Sequence, residues 1–361
     1  MLRSPRKQSV SNPVAALLQA NAAAFRSTGL PAHLRWGTLL VCILVVLRAG
    51  APVQAEAPAD TSVRLQETTI ARFTPLPEAA GIIGHMDPFV QSMSPLDRRF
   101  RLSAKGPVEA AEYLDFAKQQ VLAWTEADME RLRPALQRLA SRLEGLRPLW
   151  PPVVELIKTT GREEQGAPHC RGNAIVLPEP SLRGDDASLQ RLLAHELFHI
   201  LSRQEPARRA RLYAILGFST CDPIALPATL AARKITNPDA PAIDCVLPIQ
   251  EEGITRQVSP VLLARKDQYE SLERVSLFAE MQFRLLVVEK VEDHTVVANP
   301  RDPRLLDPAQ CPDFHRQIGR NTGYIIHPEE TLADNFVHLV FGTADLPDPW
   351  IVERLGEQLR R

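Results

Sequence analysis

The sequence predicts an α+β fold, and three observations predict it. Two stretches, 107–122 and 126–146, carry apolar residues at helical spacing; in the second these are Met129, Leu132, Leu136, Leu139 and Leu143. Two β-branched runs follow, at 153–161 and 173–178, each with the composition of a short strand. A further amphipathic helix is expected from about 186 to 203. With 361 residues, the chain can bury the core of one large domain or two modest ones. A formal net charge of -1 gives no reason to expect a phosphate-binding surface, so nucleic acid is excluded as a partner.

The first element reads as an export signal. Arg26, His33 and Arg35 precede the apolar run Gly37 to Leu47, which Arg48 closes. That run is shorter than the roughly 20 apolar residues a membrane-spanning helix needs. It suits the apolar centre of a secretory signal, about 7–15 residues. Val53-Gln54-Ala55 places small residues where a signal peptidase reads, so cleavage is expected after Ala55. A lipoprotein signal ending at Cys42 fits less well, because Val41 is bulky and Cys42 lies inside the apolar run. A retained anchor is the other alternative. The expectation is an exported chain, periplasmic or secreted, with no stable membrane insertion after cleavage.

Residues 56–104 show weak periodicity and are rich in Pro, Ala and charge; they read as a poorly ordered lead-in to a domain spanning 105–361. Trp150-Pro151-Pro152 ends the helical region, since consecutive prolines cannot continue a helix. The second strand stops at Pro178-Glu179-Pro180, and Gly184-Asp185-Asp186 supplies a turn and an N-cap for the next helix. Residues 242–298 hold β-branched runs that pattern alone does not assign to helix or strand, and 299–323 read as irregular. Helices at about 328–341 and 349–360 close the chain.

In an oxidising compartment the four cysteines beyond the signal, Cys170, Cys221, Cys245 and Cys311, suggest two disulfides, with Cys221 to Cys245 the favoured pair. The absence of any CxxC argues against a cysteine zinc site.

The chemistry sits in His195-Glu196-Leu197-Phe198-His199. Positions i and i+4 share a helix face, so His195 and His199 can place two imidazole nitrogens on one zinc ion. Glu196 follows the first histidine and stands beside the metal, where a carboxylate can take a proton from the attacking water. Leu189, Leu193, Leu197 and Ile200 form the face that anchors the helix in the core.

A third ligand is required, and Glu330 in His327-Pro328-Glu329-Glu330-Thr331-Leu332-Ala333-Asp334 is the first candidate. Asp334 lies one turn beyond it and can hold the other ring N–H of a ligand histidine. Glu205, His327 and Glu329 stay open as alternative ligands. An oxyanion donor is also needed: Tyr324 is the first choice, then His327, then His315. His169-Cys170 suggests a nucleophilic dyad only weakly, and His294 and His338 read as ordinary packing or surface residues.

The pairing of HExxH with a distant ExxxD resembles the gluzincin group of zinc metallopeptidases. The resemblance covers two segments of about five residues each. It implies a zincin-like domain with an active-site helix under a small sheet, and an edge strand, here Asn173 to Leu177, that pairs with an extended peptide or protein substrate. It implies Zn2+ on His195, His199 and Glu330, Glu196 as base and Asp334 behind a ligand. The long stretch between the two motifs departs from the familiar pattern and implies an insertion at about 205–325. Positions 202 and 205 hold Ser202 and Glu205, which exclude the metzincin arrangement of Gly and His. A zinc hydrolase of another amide or ester, or an inactive zincin-like binding module, are the alternatives to a peptidase.

Overall fold

The computed structural model describes residues 61–147, 150–272 and 275–360. The expected signal segment 1–55, with Cys42, lies outside the described residues. Strands β1 (Ser62–Gln66), β2 (Thr69–Phe73), β3 (Val121–Leu122), β4 (Val153–Thr159), β5 (His169–Arg171) and β6 (Ala174–Pro178) form one mixed sheet. Its order is β1-β2-β4-β6-β5, with β3 also paired to β4. The central β2-β4 and β4-β6 pairs are parallel, and the outer pairs are antiparallel.

Both faces of this sheet are covered, because side chains alternate across a strand. Val154, Leu156, Ile175 and Leu177 enter the main core. Ile157, Ala174 and Val176 enter a second cluster with Ile83, Phe89 and Tyr113. That second cluster is built by α1 (Leu76–Ile83), α2 (Pro88–Ser92) and α4 (Ala110–Gln119), with Leu102 of α3 (Pro95–Leu102) packed against it.

The described part of 56–104 is therefore an ordered layer carrying two strands and three helices, which corrects the reading of a poorly ordered lead-in. The reason is helix length. Elements of five to eight residues are too short to show periodicity. Their starts are nonetheless marked. Asp87 and Ser94 accept from the backbone N–H of Val90 and Asp97, and Pro88 and Pro95 occupy the first helical position, where no N–H is needed.

Below the sheet lie α5 (Glu126–Arg142), with a Thr125/Asp128 capping box, and α6 (Asp186–Arg203). The expected N-cap of α6 is present, with Asp185 accepting from Ser188 N at 2.7 Å. Helix α6 buries both the leucine face and the histidine face. Leu193 and Leu197 share the main core with Leu132, Leu136 and Leu139 of α5, and Trp150 Nε1 donates to Leu197 O at 2.7 Å.

The range 205–325, expected as an insertion, carries a second sheet. After α7 (Pro206–Ala214) come β7 (Ser219–Thr220), α8 (Ala228–Ala231), β8 (Cys245–Glu251), β9 (Ile254–Ala264), β10 (Met281–Val291), β11 (His294–Val297) and β12 (Leu305–Leu306). Their order is β11-β10-β9-β8-β7, with β12 on β10, and every pairing is antiparallel. The undecided 242–298 stretch is thus mainly strand, with α9 (Leu277–Glu280) between β9 and β10. The "irregular" 299–323 stretch contains α10 (Pro312–Ile318). Helices α11 (Pro328–Phe341) and α12 (Pro349–Arg360) match the sequence reading to the residue. The fold is α+β, and no helix among the described residues is long and apolar enough to cross a membrane.

The strand assigned the edge role, residues 173–177, is interior; β6 pairs with β4 on one side and β5 on the other. The edge is β5, formed by residues between the two expected strands, to which the sequence assigned no element. The expected disulfide is absent: Cys170, Cys221, Cys245 and Cys311 are all free thiols. Cys221 lies opposite Asp244, its N–H bonded to Asp244 O at 2.8 Å, so it is one step out of phase with Cys245. The side chains consequently enter different clusters, Cys245 the main core and Cys221 the cluster around Leu263 and Leu286.

Candidate metal centre

Helix α6 lies against α11, and the two motifs meet where they touch. His195 Nε2 stands 3.2 Å, and His199 Nε2 3.5 Å, from the same oxygen, Glu330 Oε2. The imidazole rings are 4.8 Å apart and nearly perpendicular, at 82°. A tetrahedral zinc with bonds of about 2.0–2.1 Å separates its ligand atoms by about 3.3 Å. These three side chains could hold a metal ion, since their ligand atoms lie within 4.8 Å of one another.

Each histidine is fixed from behind by a carboxylate. His195 Nδ1 donates to Asp334 Oδ1 at 3.0 Å, the partner expected from sequence. His199 Nδ1 donates to Glu329 Oε1 at 3.1 Å, a partner the sequence reading placed only among alternative ligands. With Nδ1–H held from behind, Nε2 is the nitrogen that faces Glu330, and it could exchange its proton for a metal ion. Behind Glu329 stand Ser202, whose hydroxyl donates to Oε1, and Tyr213, which donates to Oε2 at 2.6 Å. Arg209 donates to the Tyr213 hydroxyl at 3.1 Å and forks onto Asp244 at 2.7 and 2.8 Å. Thr322 donates to the second oxygen of Asp334.

The electrostatics ask for positive charge. Burial works to lower the His195 pKa, but hydrogen bonds to Asp334 and Glu330 outweigh it and hold the value at about 10. His199 is raised in the same way, burial being outweighed by Asp239, Glu330 and Glu329. Burial would raise Glu330, yet the two histidines pull it well below the usual carboxylate range. The pocket thus stabilises either protons or a divalent cation.

Glu196 turns toward β5. The Cys170 thiol donates to its Oε2 at 3.4 Å and to its backbone O at 3.3 Å. Burial, then the charge of Asp239, pushes the Glu196 carboxyl up to about 7. A carboxyl poised there can both accept and return a proton near neutral pH. The Tyr324 ring stacks on His195, with centroids 6.1 Å apart and 23° between planes. Burial, then Glu330 and the other carboxylates, holds its phenol far above the usual range, so it stays a donor.

The alternatives fall away on geometry. His327 caps α11, accepting Glu329 N–H at Nδ1, and its Nε2 lies 3.6 Å from Cys245 Sγ. Burial, then Arg209, lowers it to about 4. Glu205 precedes α7 at the surface and pairs with Arg208 at 3.2 Å. His315 packs on Phe314 in α10 and is not among the residues that could share the ion. His169 and Cys170 are successive residues of β5 and so face opposite sides, which removes the dyad. His294 lies exposed, and His338 donates to Asn321 O at 3.3 Å.

Asn237 and Asp239, which carry no motif signal, complete the site. Asn237 Nδ2 donates to Glu330 Oε1 at 2.6 Å, filling the oxygen that the histidines leave. Asp239 Oδ1 accepts Cys170 N–H at 2.9 Å, and Arg203 Nη2 lies 3.4 Å from the same oxygen. Both residues sit on a cap, residues 233–244, that leaves His195 and Glu196 2 % exposed and His199 and Glu330 1 %. The cap is pinned from α3, where Asp97 accepts Thr236 N–H at 2.9 Å and Arg101 donates to Thr236 O at 2.8 Å.

Comparisons with protein-family models, curated proteins and solved structures returned no match.

Proposed function

We propose that this chain is an exported zinc-dependent peptidase of the gluzincin type on a zincin-like α+β scaffold, periplasmic or secreted and without a stable membrane anchor. The observation that carries the reading is the convergence of two Nε2 atoms and one carboxylate oxygen, each imidazole backed by its own carboxylate. Two nitrogens and one oxygen suit zinc, and three protein ligands leave one position for substrate or water, as in catalytic rather than structural sites. His195, His199 and Glu330 would hold the ion. Zinc supplies a polarised substrate carbonyl and an acidified water when bound.

The chain's own groups account for the remaining steps. Glu196 takes the proton from water and returns it to the leaving amine. Tyr324 donates to the oxygen that gains charge. Asp334 and Glu329 keep the imidazoles aligned. An extended peptide would pair with edge strand β5. The Cys170 N–H that would meet it is held by Asp239, so substrate entry displaces the cap.

Burial under the cap favours a second reading, in which the metal serves structure alone and the domain binds rather than cleaves. A peptide-library screen of the purified chain against Glu196→Gln separates them. The peptidase reading expects a loss of about 10²–10⁴-fold with zinc retained. Equal turnover by parent and variant would contradict Glu196 as the base, and no turnover in the parent would leave the binding reading. Cleavage of small esters or amides but not peptides would select a different hydrolase.

A further inference from the structure

Beside the histidine cluster the structure holds a second convergence of metal-binding atoms. Cys170, Glu196 and Asp239 each offer one atom, and these lie within 4.8 Å of one another. They come from three separate elements: the edge strand β5, helix α6 and the cap. Cys170 is 0 % and Glu196 2 % exposed. Glu196 is a buried carboxylate that receives no N–H or O–H hydrogen bond among the described residues; the thiol at 3.4 Å is its only side-chain donor. One of its oxygens lies within 4.8 Å of the ligand atoms of Cys170 and Asp239. Asp239 commits Oδ1 to Cys170 N–H and Arg203, and among the described residues no hydrogen bond falls on Oδ2.

We infer that Cys170, Glu196 and Asp239 form a second, weaker site for a thiophilic divalent cation such as Zn2+ or Co2+. A thiolate with two carboxylates selects such ions over Mg2+ or Ca2+, which take oxygen ligands. On binding, the Cys170 thiol loses its proton to solvent, a sulfur–metal bond forms, and water fills the fourth position. No oxidation state changes.

Two consequences follow from where the ligands sit. The ion takes up the lone pairs of Glu196, so an occupied second site leaves no free base. It also ties the cap to β5 and α6, holding the site shut. Excess metal would then arrest the chain by a route distinct from loss of the first ion. The coordination itself is independent of the peptidase reading; only its effect on activity rests on that reading.

The test is a Co2+ titration of the chelator-stripped full chain, followed by absorption. The first equivalent should give visible bands without sulfur-to-cobalt charge transfer, and the second should add that charge-transfer band in the near ultraviolet. Cys170→Ser should lose the sulfur band and the second equivalent while keeping the first. Asp239→Asn, which keeps the thiol, should lose the second equivalent at the concentration that saturates the parent. His199→Ala should lose the first equivalent and keep the sulfur band. A parent chain that saturates at one equivalent with no sulfur band overturns the second site and leaves the histidine centre standing. Absence of the sulfur-free first equivalent instead overturns the histidine centre.

Discussion

Replacing Glu329 with glutamine separates orientation of a ligand from ligation itself. Three donors converge on this carboxylate: His199 Nδ1–H at 3.1 Å, the Tyr213 hydroxyl at 2.6 Å, and the Ser202 hydroxyl. The amide of Glu329→Gln can still accept from His199 through its one oxygen. Its NH2 faces Tyr213, whose hydroxyl must turn to accept. Shape is kept, and the negative charge that makes His199 a better ligand is lost. Removing such a partner costs about 10–100-fold in metal affinity, which is about 1.4–2.7 kcal/mol. Glu329→Ala does more, because the buried Tyr213 hydroxyl loses its acceptor at about 1–3 kcal/mol, while Ser202 keeps its bond to His199 O. Chelator competition measures the zinc affinity of both variants, and urea unfolding of the metal-free chains measures stability. The expected pattern is weaker zinc binding in both and a large stability loss only in the alanine variant. Zinc held as tightly by Glu329→Gln as by the parent would refute the claim that Glu329 sets His199.

Three further outcomes follow from groups away from the ligands. Burial raises Glu163 from 4.5 to about 7, and its Oε2 has no partner. The folded state therefore binds this proton more tightly than the unfolded state, so its contribution is full below pH 4.5 and is lost as pH rises through about 7, by about 3 kcal/mol. Urea midpoints should fall between pH 5 and 8 in the parent and stay flatter in Glu163→Gln; equal slopes would contradict the shift. Arg101 is 3 % exposed and pairs with Asp97 and Glu164, so Arg101→Met should cost about 3–5 kcal/mol by stranding buried carboxylates. A loss below about 1 kcal/mol in the same unfolding assay would show the pair to be solvated. Asn237→Ala removes the cap's bond to Glu330, worth about 1 kcal/mol, and should speed zinc removal by a chelator about fivefold; an unchanged rate would show that the cap does not gate the centre.

Much of the site was legible because it is local. His195, Glu196 and His199 follow from one helix, and Glu330 with Asp334 from another whose ends were read to the residue. Spacing along a helix fixes which side chains share a face, and two such faces needed only to meet. Glu329 escaped because its role depends on which neighbouring helix α11 rests against, which periodicity does not encode. Asn237 and Asp239 escaped for a stronger reason: they reach the site from a proline-rich loop held by α3, nearly 140 residues earlier in the chain. The N-terminal layer was partly readable after all. Asp87-Pro88 and Ser94-Pro95 each pair a capping side chain with a proline at the first helical position, a signal that survives in helices too short for periodicity. The edge strand was misplaced because β5 is three residues of polar composition, paired only on one side. The disulfide failed on phase: proximity along a loop does not decide which face of a strand a thiol takes.

The measurement that tests the central claim most directly is the zinc content of the purified chain after reconstitution and dialysis, by elemental analysis, beside His199→Ala and Glu330→Ala. The account predicts close to one zinc per parent chain and none retained in either variant, with both variants folded. A parent chain that retains no zinc, or variants that keep it, would contradict a metal centre at His195, His199 and Glu330.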